Sequence, residues 1–413
     1  MNPGKIKLHA NTIAFALLCL ANILDLFVPR RDDSNYFVRM PIQLINGFLL
    51  IFMWATLLFK TFHWNAVTKT TALFLILIGS YTLFYLYGHK FNFAEYSPYF
   101  KFLLWTTSII FFYEMMLRHG LNKRWIAFYI VTFLASATKK IIELSVFENE
   151  TLNAGDTAAL PLLFLLPIIL ICINDKLKVF IIGIVVVLVL ISLRRTAILG
   201  LVLSLPFIYK YVRSSLRTSH IVVFGMVLAT VVYYSWGFIG DAVIYRFQNL
   251  IIGDAGGNKE SFGSGRSEFY MTVWNGWVNS GTQSLLFGNG LNSSHDVLMN
   301  VHNIQHAHND FLEIGYTFGL IGIGIWFFFL GYLWKLKHKI KEYCPRVMPL
   351  FFICFLSYLI IGLSSGCILR STTISLSLVI AMLLYETEKG KYTAEILNNE
   401  NLVAQPDLLQ EEQ

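Results

Sequence analysis

The 413-residue chain is 56% apolar, 15% aromatic and only 14% charged, with a mean hydropathy of +0.59. So little charge over this length excludes an ordinary soluble globular protein and points to an all-α polytopic membrane protein. A net charge of +7 would suit a nucleic-acid partner, but the basic residues sit in short connections between apolar runs, so no nucleic acid is expected.

Spanning a hydrocarbon layer of ~30 Å takes ~20 mostly apolar residues per helix, and about twelve candidate runs are present. They begin near Thr12, Pro41, Thr71, Tyr99, Trp125, Ala158, Val179, Thr196, Ile221, Phe311, Val347 and Ser371. The first ends at Arg30-Arg31 with no small-residue cleavage site, so it reads as a retained helix. Arg30, Arg31 and Arg39 are accompanied by Asp32 and Asp33 and read as a solvated loop. Placing Lys5 and Lys7 inside makes Lys60–Lys69, Arg118–Arg124, Lys176–Lys178, Lys210–Arg217 and Lys335–Arg346 inner loops. These and the tails hold well over half of the 32 basic residues, the positive-inside signature, so the basic excess mostly sets orientation. Asp25, Lys139, Lys140 and Glu143 lie in or beside spans, toward their outer ends. An even number of spans returns the C-terminus to the inner side. Residues 1–386 then form one membrane domain, and 387–413 a polar, acid-rich tail expected to be partly disordered. The five cysteines form no C-x-x-C pair, so neither a disulfide framework nor a cysteine metal site is expected.

One connection is long. Asp241 to Asp310, on the outer face, is rich in Gly, Asn and Ser, and long loops in compact proteins are usually functional or disordered. Its stretch Glu268–Val278 looks helical and amphipathic, with Phe269, Trp274 and Trp277 suited to a membrane interface or a docking groove. The expectation is an ordered lid containing short helices.

Topology leaves four outer arginines unexplained: Arg194 and Arg195 in the tight connection "SLRRTAILGL", Arg266 in the long loop, and Arg370 in "CILRSTTIS". Each alone can snorkel to lipid phosphates. Together on one face they suit an anionic ligand, because a guanidinium is a fork of donors matched to phosphate oxygens. The same face receives four of the ten histidines, between His295 and His308, in "NIQHAHNDFLEIGYTFGLIG" and just before it. A metal site, a general base and a plain helix-start loop are all readings of that stretch. Arginines nearby oppose a cation, and no metal is expected. They also favour a neutral imidazole able to take a proton from a hydroxyl. Residues i and i+2 share no helical face, so His306 and His308 cannot both enter one pocket from a helix. His308, nearer the membrane edge, is the better base. Asn309 and Glu313, and His306 and Asp310, are four apart, and either acid could orient a histidine.

"RTAIL" (Arg195–Leu199) has the form R-x3-L, and His308-Asn309 is followed after nine residues by Gly319-x-x-Gly322. With an arginine in a long outer loop between them, these patterns resemble the bacterial O-antigen ligase family, whose superfamily includes O-antigen and exopolysaccharide polymerases. The detailed resemblance covers Arg194–Leu199, Gly263–Glu268 and His306–Gly322; Ile323-Gly324 departs from the threonines that ligases often carry after the glycine. The resemblance implies a metal-independent, cofactor-free, inverting glycosyl transfer at the periplasmic face of the bacterial inner membrane, with both termini cytoplasmic. The donor would be a glycan on undecaprenyl diphosphate and the acceptor a sugar hydroxyl of lipid A-core. Arg195 and Arg266 would hold the diphosphate and His308 would be the base. Arg194, Arg370, Asn309 and His306 would be further substrate contacts. A polymerase using the same donor is the alternative within enzymes. A lipid-linked glycan transporter is the alternative outside them, although such proteins place ionisable or interrupted helices near the midplane.

Overall fold

The computed structural model describes residues 9–28, 36–59, 61–88, 93–147, 158–192, 194–213, 266–302, 307–367 and 373–404. All regular structure among them is helical, as expected. Before the long segment 241–310 come α1 (Ala10–Asp25), α2 (Tyr36–Leu58), α3 (Ala66–Gly88), α4 (Phe93–His119), α5 (Lys123–Phe147), α6 (Ala159–Cys172), α7 (Asp175–Ile191) and α8 (Arg195–Val212). Three helices of that segment follow: α9 (Arg266–Val278), α10 (Thr282–Phe287) and α11 (Ser293–His302). The chain then forms α12 (Asp310–Tyr343), a 3-10 turn at Pro345–Val347, α13 (Met348–Ser364) and α14 (Thr373–Ala404).

Among the described residues, seven helices are long and apolar enough to cross a membrane, within α2, α3, α4, α5, α8, α12 and from the 3-10 turn through α13. This makes the chain a multi-pass membrane protein. The expected runs at Thr12, Ala158 and Val179 form the shorter apolar helices α1, α6 and α7. The 14 residues of α6 rise only ~21 Å. The run near Ser371 starts at Thr373 and turns polar at Glu386, and the run near Ile221 lies outside the described residues, as do Lys5, Lys7, the Arg30–Asp33 cluster and the tail after Ala404. Apolar run length therefore overstated how far several helices reach.

The helices alternate in direction between two ends of the bundle. The rings of His9 and His119 meet at 4.5 Å, so α1 starts where α4 stops, at the lower end. Asp25 pairs with Lys140, so α1 finishes at the upper end beside the later turns of α5. α6 is apolar all round, which requires burial on every side, and all its residues except Ile171 are buried. It packs against α5, α7, α8, α13 and α14 and forms the hub. α2 and α3 instead leave Leu44, Phe48, Ile51, Leu83 and Phe84 exposed, the outward face expected of spans set in lipid. In lipid, packing rather than transfer from water holds helices together. Stacked and edge-on rings supply it here: Phe102–Trp105 at 5.3 Å, Phe74–Phe102 at 5.3 Å and Trp105–Phe329 at 6.2 Å join α3, α4 and α12.

The described part of segment 241–310 is docked onto the bundle. Val273, Trp277 and Leu298 are buried, Trp274 stacks on Phe311 at 6.5 Å, and Trp277 meets the same ring edge-on. Of the two uses foreseen for these aromatics, the docking groove is the one observed. The deepest contact is at a break in α12. Gly319 has φ 65° and ψ −161°, a left-handed conformation that L side chains rarely adopt. The break diverts the carbonyls of Tyr316 and Thr317 from their helical partners. They accept instead from the backbone N–H of Asn289 (2.8 Å) and Gly290 (3.2 Å). The Phe287 carbonyl accepts from the Tyr81 hydroxyl. A Cβ on Gly319 would overlap the Leu286 carbonyl, and one on Gly288 the Thr317 carbonyl. The first glycine of Gly319-x-x-Gly322 thus makes room for the loop after α10.

Candidate functional site

The N-terminus of α12 is built by its own sequence. Asn309 is the N-cap: its backbone is extended (φ −147°, ψ 116°) and its Oδ1 accepts from Leu312 N at 3.2 Å, the role for which Asn is favoured. Asp310 and Glu313 occupy the first turn, where the helix dipole favours carboxylates. His308, immediately before the cap, has φ 56°. A non-glycine residue there is uncommon and held by its surroundings.

Those surroundings are explicit. Glu313, 5% exposed, accepts from Ala307 N (2.5 Å) and from Ser294 Oγ (2.7 Å), so it fastens the backbone before His308 to α11. Asp310, 1% exposed, accepts from Cys367 N at 2.7 Å. Asn309 Nδ2 donates to the Leu363 carbonyl at 2.9 Å. Both acids expected to orient a histidine therefore fix the chain around His308. Asn309, expected to contact substrate, spends both ends of its amide on the scaffold.

The end of α13 and the turn after it, Leu363–Cys367, make these bonds and complete the constellation. Gly366 has φ 71°, and a Cβ there would lie 3.7 Å from His308 Cα and 3.5 Å from Asp310 Oδ1. Ser365 Oγ, one residue earlier, accepts from Arg194 Nη2 at 3.4 Å. Ser364 and Ser365 hydroxyls donate to Thr196 Oγ1 at 3.2 and 3.4 Å. Arg194 is the extended N-cap position of α8 and Arg195 its first residue, both half-buried. One short turn thus ties the Arg194–Thr196 corner to the His308–Asp310 corner across about 110 residues of chain. The N-termini of α8 and α12 both open on it, and positive dipole ends beside a guanidinium favour an anion.

α9 arrives at the same place, its Tyr270 hydroxyl lying 3.5 Å from the Leu363 carbonyl. Arg266 opens α9 one turn before Tyr270 and on the same face; its side chain lies outside the described residues. So do His306 and Arg370, the latter three residues past Cys367. Among the expected residues, Arg194, His308 and Asn309 thus meet at this turn, with Arg195 next to Arg194 in the chain. Sequence reasoning missed the turn that joins them. Its signal was present in "LSSGC": two serines and a glycine ending an apolar run, just before the outer Arg370.

Residues 158–327 match the family model described as O-antigen ligase. The chain has an O-antigen ligase domain. No curated protein matches it. The O-antigen ligase match runs from α6 into the second part of α12, so it includes both the Arg194–Thr196 and the His308–Asp310 corner. The Ser364–Cys367 turn lies beyond it. The family supports an enzyme of the O-antigen ligase or polymerase type in lipopolysaccharide biosynthesis, and the resemblance seen in the two short motifs is borne out over that segment.

Glu313 tests how the site is held. Glu313→Ala strands the buried N–H of Ala307 and the Ser294 hydroxyl, at a cost of ~1–3 kcal/mol for each group left unsatisfied. The expected result is a lower unfolding midpoint in detergent; an unchanged midpoint would show that the two bonds contribute nothing to the fold.

Proposed function

We propose that the protein transfers a glycan from undecaprenyl diphosphate to a sugar hydroxyl of lipid A-core at the periplasmic face of the bacterial inner membrane. The observation that carries this reading is the joining of Arg194 to His308 through Ser365 and Gly366, in a chain with an O-antigen ligase domain. His308 takes the proton of the acceptor hydroxyl, and the oxygen attacks the anomeric carbon from the side opposite the diphosphate. The bond to the diphosphate breaks with its electron pair, so the lipid diphosphate departs with added negative charge and the anomeric centre is inverted. Arg195 and Arg266, with Arg194 and Arg370 beside them, bind that charge. Because it grows as the bond breaks, they stabilise the transition state more than the bound donor. No metal or cofactor enters the scheme.

Arg195→Lys is expected to lose most transfer activity, since a point charge does not reproduce a two-pronged donor. Retained activity would reduce Arg195 to a residue that sets topology. The acceptor is tested by offering the purified protein the lipid-linked donor with either lipid A-core or a second lipid-linked repeat. Product from lipid A-core is expected. Product from the second repeat alone would make the enzyme a polymerase, the second reading, which the Ile323-Gly324 departure keeps open.

A further inference from the structure

A second polar site lies at the same end of the bundle, outside the O-antigen ligase match except at its α6 edge. Between α1, α2 and α5 is a cavity of ≈ 160 Å³, closed on one side by the first turns of α6 and α14 (Pro161, Ile374). Its polar lining is Asn22, Asp25, Asn46, Ser136 and Lys140, and Tyr129 adds an aromatic wall. Lys140 pairs with Asp25, which also accepts from the Ser136 hydroxyl. Asn22 Nδ2 donates to Thr132 Oγ1 at 3.4 Å.

The cavity is recessed. Ser136 stands eleven residues before the end of α5, or ~16 Å along the helix axis. It and Lys140 both fall inside the stretch of α5 apolar enough to span a membrane. Asp25 ends α1 and Lys140 lies three residues before the end of that stretch, so the charged pair stands nearer the end of the bundle than Ser136.

We infer that this cavity binds one six-membered sugar ring of a membrane-anchored glycan. Calling the ligand a glycan rests on the transfer reading above; the shape and chemistry of the pocket stand by themselves. At ≈ 160 Å³ the cavity is of the size that takes one small ring and not a chain of them; an apolar cavity of ~150 Å³ holds a benzene ring. One carboxylate and one ammonium, already paired, leave the lining without net charge, so neither a phosphate nor a cation is preferred. Two amides, a hydroxyl and the ion pair instead offer donors and acceptors together, which is what the hydroxyl groups of a neutral sugar require. Leu18, Ile42 and Phe133, with the edge of Tyr129, supply the apolar lining. Ile374 follows Cys367, the residue bonded to Asp310, by seven positions, and seven extended residues reach at most ~25 Å. A sugar chain with one ring held here can therefore extend toward His308.

The ring can belong to donor or acceptor, and the test separates them. Binding of the undecaprenyl-diphosphate glycan, of lipid A-core and of undecaprenyl diphosphate without sugar is measured on the full-length protein in detergent. Asn46→Leu and the paired Asp25→Asn/Lys140→Met, which removes both charges at once, are compared with the parent. The expected result is a loss of about tenfold in affinity for one of the two glycolipids, the size of a lost hydrogen bond to a charged partner. Bare undecaprenyl diphosphate should bind unchanged, and in turnover the KM for the same glycolipid should rise while kcat holds. If the paired variant does not fold, Asn46→Leu decides alone. Parent-like binding of both glycolipids by the variants overturns the inference, as does an equal loss for the sugar-free lipid. His308→Ala with an intact cavity should still bind glycolipid, so failure of the transfer reading and failure of the cavity reading give different results.

Discussion

His308→Ala should abolish glycan transfer in proteoliposomes while the protein still binds the lipid-linked donor. A positioned general base contributes ~10²–10⁴-fold, and a drop of that size in kcat is expected with little change in donor affinity. The left-handed backbone at this position (φ 56°) makes the choice of control important. Asparagine tolerates that conformation well, so His308→Asn keeps the local fold without supplying a base. If Asn and Ala lose turnover equally while unfolding midpoints hold, the imidazole itself is responsible. Near-normal turnover in either variant would remove His308 from the chemistry and leave it a residue of the α12 start. A loss in Ala that Asn restores would make the backbone conformation the determinant.

Gly319→Ala should be among the most damaging single substitutions in the protein, although it adds only one methyl group, eleven residues after His308. A side chain in the left-handed region costs ~1–2 kcal/mol. This one would also overlap the Leu286 carbonyl at the end of α10, from which the loop that occupies the break continues. Relief requires that loop to withdraw, which removes the Asn289 and Gly290 bonds to Tyr316 and Thr317. The segment carrying Ser294 would shift with it, and Ser294 is one of the two donors to Glu313 beside His308. Thermal unfolding in detergent should fall by several degrees, and transfer should fall with it. Gly324→Ala is the control: a Cβ there meets nothing within 4 Å, so it should be close to neutral. Equal stability of the two variants would show that the loop is not wedged into the break.

The sequence determined the class of the molecule, because burial in a bilayer is a requirement on composition. Long apolar runs, basic residues gathered between alternate runs, and a single long polar connection suffice for that. It also located both corners of the candidate site. Arg194-Arg195 and His308-Asn309 stood out because charge and imidazole at the ends of apolar helices have a cost that something must offset. The N-cap at Asn309 was equally local, its side chain bonding three residues ahead.

What only the tertiary structure decided was which distant backbone each of these residues would meet. Whether Arg194 or Arg195 reaches the Ser365 turn depends on how α8 is rotated against α13, a packing choice spread over many contacts. The roles of Asp310 and Glu313 depended on Cys367, Ala307 and Ser294 arriving at hydrogen-bond distance. The break at Gly319 was invisible as a break, since a glycine inside an apolar run is compatible with an unbroken helix. It becomes necessary only when another loop needs the space. The cavity at Asp25–Lys140 likewise depends on α1, α2 and α5 meeting, with Pro161 and Ile374 at its side. Local sequence specifies which groups are costly to leave unpaired; the assembled bundle specifies what pairs with them.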